Sequence, residues 1–175
     1  MKELNIKNYI AEMPDGDDIE IMDFDLDPIS NKVVLYIVDF IKPIGQLSTS
    51  EIDKVTNSIN KRLNWIKSNY EIIENGVTEG EIADLVDDWV SSAKPSEGEE
   101  NTYIIEDDQK VTVPVSKDSF KKSLGLDSIA IYMDEKFEVD IADLYITCSP
   151  DYFAGHAINI SISKAKEIKY RGLIG

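Results

Sequence analysis

The sequence predicts an α+β fold, an antiparallel β-sheet meander with two long helices packed on one face. Three observations carry this. An alternating acidic stretch, "MDFDLD", leads into a continuous apolar run, "KVVLYIVDFI" (32–41). Two capped, helix-periodic segments follow between residues 48 and 94. From residue 102 onward, short β-rich pieces alternate with turn residues. At 175 residues the chain fits one domain, 1–175, with 94–101 as a surface loop and 164–175 as a basic tail.

Residues 12–27, "EMPDGDDIEIMDFDLD", hold eight acids and no base. The period of two sets Met22, Phe24 and Leu26 against Asp23, Asp25 and Asp27, predicting a half-buried strand with a carboxylate row outside. A calcium loop counted from Asp15 fails. Its sixth and twelfth positions, which need Gly and Glu, hold Glu20 and Leu26. The run at 32–41 is rich in Val and Ile, as expected of a buried central strand.

Ser48 and Glu51 form a capping-box pattern, and Ile52, Val55, Ile59, Leu63, Ile66, Tyr70 and Ile73 recur at three- and four-residue spacings up to Gly76, a candidate stop. Trp65 and Ile72 lie off this stripe. Either another element covers them or Trp65 is an anchor for a partner. A second box, Thr78 to Glu81, opens "EIADLVDDWV", where Ile82, Leu85, Val86 and Trp89 share one face and Asp84, Asp87 and Asp88 the other.

"SKDSFKKSLG" predicts a short capped helix, and "DSIAIYMDEKFEVDIADLYITC" a hairpin turning at "MDEK". In its second strand the apolar parity changes near Ala142–Asp143, implying a bulge or break. The last strand places His156, Ile158, Ile160 and Ile162 on one face.

The only cysteine and the only histidine, Cys148 and His156, flank "SPDYFAG" with Asp151 between them. A thiol nucleophile needs a base within reach and a setting that favours thiolate. Cys148 instead continues the strand pattern Leu144, Ile146. The expectation is a structural turn in which Asp151, Phe153, Gly155 and His156 hold the chain between two strands, with no catalytic residue. Phosphate-cradling loops, nucleophile elbows, dinucleotide fingerprints and His-Glu-x-x-His are missing from the sequence. One Cys and one His cannot build a zinc site, so no metal and no cofactor are expected.

"DYFAGHAINI", "LGLDSIAIYMDEKFEVDI" and "EIADLVDDWV" together resemble a bacterial family of domains of unknown function. Its pattern is a helix ending in Asn/Asp-Asp-Trp, a strand pair around a short turn, an acidic-aromatic-Gly-His-small-Ile segment and a glycine-terminated tail. The resemblance covers about the last hundred residues. It implies that Asp88, Trp89, Asp151, Phe153, Gly155, His156, Ile158 and Gly175 are the marked positions. This chain departs from the pattern in the longer "ADLYITCSP" and in an insertion around 97–110. No activity comes with the resemblance.

Charge is the remaining guide. The net value is −16, made of −19 over residues 1–151 and +3 over 152–175. Such a chain repels nucleic acid and anionic membranes and attracts cationic partners. The start lacks a signal-peptide stretch and the longest apolar run, "VVLYIV", cannot span a bilayer, so a cytoplasmic protein is expected. The functional expectation is a non-enzymatic acidic binding protein. Its concrete form is an immunity protein that neutralises a basic bacterial toxin, a nuclease in the favoured case. Asp23, Asp25, Asp27, Asp84, Asp87, Asp88 and Trp65 are the candidate partner-binding residues. The alternatives are a cytoplasmic regulatory or assembly protein and a small hydrolase using Cys148 and His156 or carboxylates.

Overall fold

The computed structural model describes residues 4–10, 18–38, 40 and 42–175. The first part of the acidic run, from Glu12 to Asp17, lies outside the described residues. In chain order the elements are α1 (Lys7–Ile10), β1 (Ile19–Leu26), β2 (Ser30–Val38), α2 (Thr49–Glu79), α3 (Glu81–Ser91), β3 (Lys94–Pro95), β4 (Thr102–Ile104), β5 (Lys110–Thr112), α4 (Lys117–Ser123), β6 (Leu124–Met133), β7 (Val139–Cys148), β8 (Ala157–Ile162) and β9 (Ile168–Ile174). The composition is α+β, with a six-stranded sheet ordered β1-β2-β6-β7-β8-β9 and a small sheet ordered β3-β4-β5.

The large sheet is mixed and is not a meander. β1 and β2 are antiparallel, but β2 pairs with β6 in parallel, Leu35 beside Ile129 and Ile37 beside Ile131. The physical reason lies in the connection. A parallel pair needs a long crossover, and everything from α2 to α4 supplies it. The links at 134–138, 149–156 and 163–167 are too short for a crossover, so β6 to β9 alternate in direction. Residues 164–175, set apart in the sequence as a basic tail, contribute the edge strand β9.

Two compact units emerge from the contacts. One comprises the described residues of 1–70 with 126–145 and 160–169; the other comprises 71–125, 146–159 and 170–175. In the first, Val55, Ile59, Leu63 and Ile66 of α2 are buried, as are Val33, Leu35 and Ile37 of β2 and Ile129 and Ile131 of β6. The capping box at Ser48 forms: Glu51 accepts the Ser48 amide at 2.7 Å, and Ser48 Oγ accepts the Glu51 amide at 3.3 Å. Side chains of α2 also satisfy strand and terminal backbone. Ser58 Oγ accepts the Val139 amide at 2.8 Å, and Asn60 both accepts from Leu4 N and donates to Leu4 O.

β1 departs from simple alternation. Ile19, Ile21, Phe24 and Leu26 are buried, while Met22 is 63% exposed. Ile21 pairs with Leu35 and Phe24 with Val33, so β1 spends three residues where β2 spends two. The extra residue makes a bulge at Met22–Asp23, with Asp23 at φ 51, and turns Met22 outward. Aspartate tolerates this left-handed conformation better than most side chains.

The expected pair of long helices becomes one of 31 residues and one of 11. α2 runs through Gly76 to Glu79, and the Thr78 box does not form; Thr78 Oγ1 donates to Asn75 O at 3.2 Å instead. Gly76 serves packing. A Cβ there would overlap the Tyr170 hydroxyl, which donates to Ile73 O at 3.1 Å. α3 starts after Gly80 without a side-chain cap and buries Ile82, Val86 and Val90. Leu85, expected on that face, is outside it and exposed. α4 is capped by Ser116, which accepts the Ser119 amide.

Candidate partner-binding surface

The bulge in β1 shapes the strongest candidate site. Beside it lies a concavity of about 470 Å³ whose lining includes buried Leu4, Ile21 and Phe24 together with exposed Met22, Asp23 and Asp25. Asp25 Oδ1 accepts the Asp27 amide at 3.0 Å, which orders the turn after β1. Asp27 itself is exposed in that turn. Among the described residues no cation forms an ion pair with Asp23, Asp25 or Asp27. The arrangement is therefore an apolar hollow edged by two carboxylates that no cation among the described residues compensates. Chemically it suits a lysine or arginine side chain, whose methylene stem can lie on apolar surface while its head reaches a carboxylate. Sequence periodicity missed Met22, because one inserted residue reverses the facing of everything before it; the three-residue spacing from Ile21 to Phe24 was the available signal.

The acidic face of α3 is divided. Asp84 and Asp88 are exposed, whereas half-buried Asp87 accepts the Val115 amide at 2.8 Å and fixes the chain entering α4. Trp65 is half-buried, with the Lys166 ammonium 5.9 Å from its ring centroid, a cation–π distance. Ile72 is 61% exposed.

The turn at 149–156 gathers residues that are far apart in the chain. Asp151 accepts the amides of Phe153 at 3.0 Å and Gly155 at 2.6 Å, and Ala154 and Gly155 both have positive φ. Phe153 is fully buried, edge-on to Trp89 at 5.9 Å and to Phe120 at 6.1 Å. His156 stands just before β8, half-buried, with its ring 5.1 Å from Trp89. Its Nδ1 faces the carbonyls of Phe153 at 2.9 Å and Ala154 at 3.3 Å. Both are acceptors only, so Nδ1 carries the proton and donates. Gly175 lies against the same ring, where a Cβ would come within 3.0 Å of it.

Cys148, at the end of β7, is half-buried. Burial pushes its thiol up to about 11, the nearby Asp151 carboxylate acting in the same direction and a Ser123 hydrogen bond opposing them. No hydrogen bond joins Cys148 and His156 among the described residues. Nor, among those residues, does any group of three His, Cys, Asp or Glu side chains lie close enough to hold a metal. No helix among them is long and apolar enough to cross a membrane.

A family model described as an uncharacterized protein conserved in bacteria (DUF2262) matches residues 42–173. No curated protein and no solved structure matches the chain. α3 and the 149–156 turn fall inside the matched residues, and the acidic strand β1 precedes them. With the match spanning most of its length, the chain belongs to this bacterial family of unknown function.

Proposed function

We propose that the protein is a non-enzymatic acidic binding protein, an immunity protein that occludes the active cleft of a basic bacterial toxin, with a nuclease as the favoured target. The observation that carries this reading is the hollow at the β1 bulge, where Asp23 and Asp25 stand beside an apolar lining without an ion pair among the described residues. A nuclease cleft is lined with Lys and Arg to hold phosphates. Carboxylates fixed on a strand occupy the same cations, and the net charge of −16 speeds the encounter. Exposed Asp84 and Asp88 are a second candidate contact, and Trp65 a third that would first have to release Lys166. The same reading takes α2 as packed over one face of the sheet. Its buried stripe and the Ser58 bond to β7 support that.

Two features weigh against a Cys148 hydrolase: the thiol is held protonated, and His156 spends Nδ1 on backbone carbonyls. The test of the binding reading is to sequence the adjacent gene, where the reading expects a toxin domain, and to co-express its product with the full chain. The expected result is a co-purifying complex and rescued growth, with Asp23→Lys/Asp25→Lys weakening association by about a hundredfold or more, as for loss of close interfacial charge pairs. A toxin that neither binds nor is inhibited would refute the immunity reading. Association insensitive to salt and to this charge reversal would remove the steering mechanism.

A further inference from the structure

A second concavity, of about 390 Å³, is lined by Lys54, Asn57, Lys61 and Arg62 of α2 and by Glu138 and Lys164 from the turns at 134–138 and 163–167. We infer that it is an anion site for the phosphoryl group of a small molecule, with Arg62, Lys54 and Lys61 as the residues that hold the oxyanion.

Arg62 is the strongest part of the case. It is 6% exposed, and its Nη1 donates to the carbonyls of Ile162 at 3.1 Å and Ser163 at 2.8 Å. Those bonds leave the N–H groups of Nε and Nη2 without a protein acceptor among the described residues. Neither nitrogen is among the fully enclosed polar atoms that lack a partner, so both keep some solvent access, and Arg62 is one of the residues that line the concavity. The guanidinium is thus held at Nη1, and Nε and Nη2 are the donors it has left for a ligand in the concavity. Burial disfavours its charge, and Asp140 is the carboxylate that opposes this effect. An oxyanion in the hollow would stabilise that charge further.

The lysines differ in what they have left to offer. Lys164 is already held by Asp134 at 2.6 Å and Glu138 at 2.8 Å. Lys54 and Lys61 make no ion pair among the described residues, although the chain carries 34 acids against 18 bases. Seven residues apart on a helix, they lie on the same side of α2 about two turns from each other, with Asn57 between them. A planar fork with two flanking ammonium groups matches a tetrahedral oxyanion, the fork taking two oxygens and the lysines the others. The volume exceeds that of a bare phosphate and falls in the range of small-molecule pockets, so the phosphoryl group belongs to a larger molecule. The acidity of the rest of the chain does not prevent binding. At physiological salt the screening length is about 8 Å, and distant carboxylates are damped.

The experiment is calorimetric titration of the full chain at physiological salt with pyrophosphate, ADP and adenosine in parallel, on the unmodified protein and on Lys54→Glu/Lys61→Glu. Both lysines lie outside the core, so this variant keeps the fold, and Arg62→Lys provides a second variant that retains a charge but loses the fork. Saturable binding of pyrophosphate or ADP, no binding of adenosine, and at least about a tenfold loss in the double variant is the expected result. ADP binding tighter than pyrophosphate would assign the bearer to a nucleotide; equal affinities would overturn the larger bearer and leave a site for the phosphate alone. No saturation up to about 10 mM, a range that covers even millimolar affinities, or affinity unchanged by the double substitution, would overturn the site.

Discussion

Gly76→Ala in the interior of α2 should have opposite signs in two backgrounds. On helix propensity alone, replacing Gly by Ala in a helix interior stabilises by about 1 kcal/mol. In this protein the added Cβ would overlap the Tyr170 hydroxyl and ring end, so Tyr170 must leave. Tyr170 is 38% exposed, so roughly three fifths of an aromatic side chain of about 200 Å² is at stake. At ~25 cal/mol per Å² that surface is worth up to about 3 kcal/mol, and the hydrogen bond to Ile73 O adds about 1 kcal/mol. Partial re-burial of the displaced ring reduces the loss, and the propensity gain offsets more of it. The net expectation is a destabilisation of about 2 kcal/mol. In a Tyr170→Ala background nothing remains to collide, and the same substitution should stabilise by about 1 kcal/mol. Urea unfolding of the four proteins, with m-values compared to verify a common two-state transition, measures both signs. If Gly76→Ala stabilised the unmodified protein as much as the Tyr170→Ala variant, the glycine would not be there for Tyr170.

Cys148 should react with iodoacetamide more slowly than free cysteine at pH 8, the rate rising only as pH approaches 11, because burial holds the thiol protonated; faster labelling than free cysteine would revive a catalytic thiol. A pH effect is expected at the Lys164 cluster. Its ammonium and two turn amides pull Asp134 down to about 2 from 3.8, with Lys164 the largest cause. The folded value is the lower one, so the contribution is complete above about pH 4 and is lost as pH falls towards 2. Lys164→Ala should flatten the acid limb of the stability curve in that window, and an unchanged limb would show that the pair contributes nothing to folding.

What the sequence made legible was local, and what it hid depended on distant partners. The α2 stripe from Val55 to Ile73, the Ser48–Glu51 box and the isoleucines of β8 follow from short-range spacing, and the structure contains them. The parallel pairing of β2 with β6 does not follow from either strand's pattern. A continuous apolar run fits parallel and antiparallel neighbours alike, and only the long intervening crossover settles the direction. Gly76 resembled a stop because its reason for being glycine sits ninety-four positions away, at Tyr170. The Lys and Arg residues after 163 resembled a tail on charge, yet Ile168, Gly172 and Leu173 are half-buried in strand β9.

The candidate site divides along the same line. The acids of the β1 row were visible as composition, but the hollow beside them was not, because a bulge is an irregularity in pairing with β2 and leaves no periodic trace. The 149–156 turn shows the converse. Its Cys, Asp and His were conspicuous as chemistry, and each has instead a backbone or packing role: Asp151 holds two amides, His156 two carbonyls and an indole edge, and Cys148 is a protonated thiol at a strand end. Residue types that suggest catalysis make backbone and packing contacts here. Charged groups without an ion pair among the described residues lie elsewhere, as the carboxylates at the β1 bulge and as Lys54 and Lys61 near Arg62. The two concavities differ in the charge at their rims, aspartates at the β1 bulge and mainly lysines and Arg62 at the other, so the proposed basic partner and the proposed phosphoryl group would be taken at separate places in the same unit.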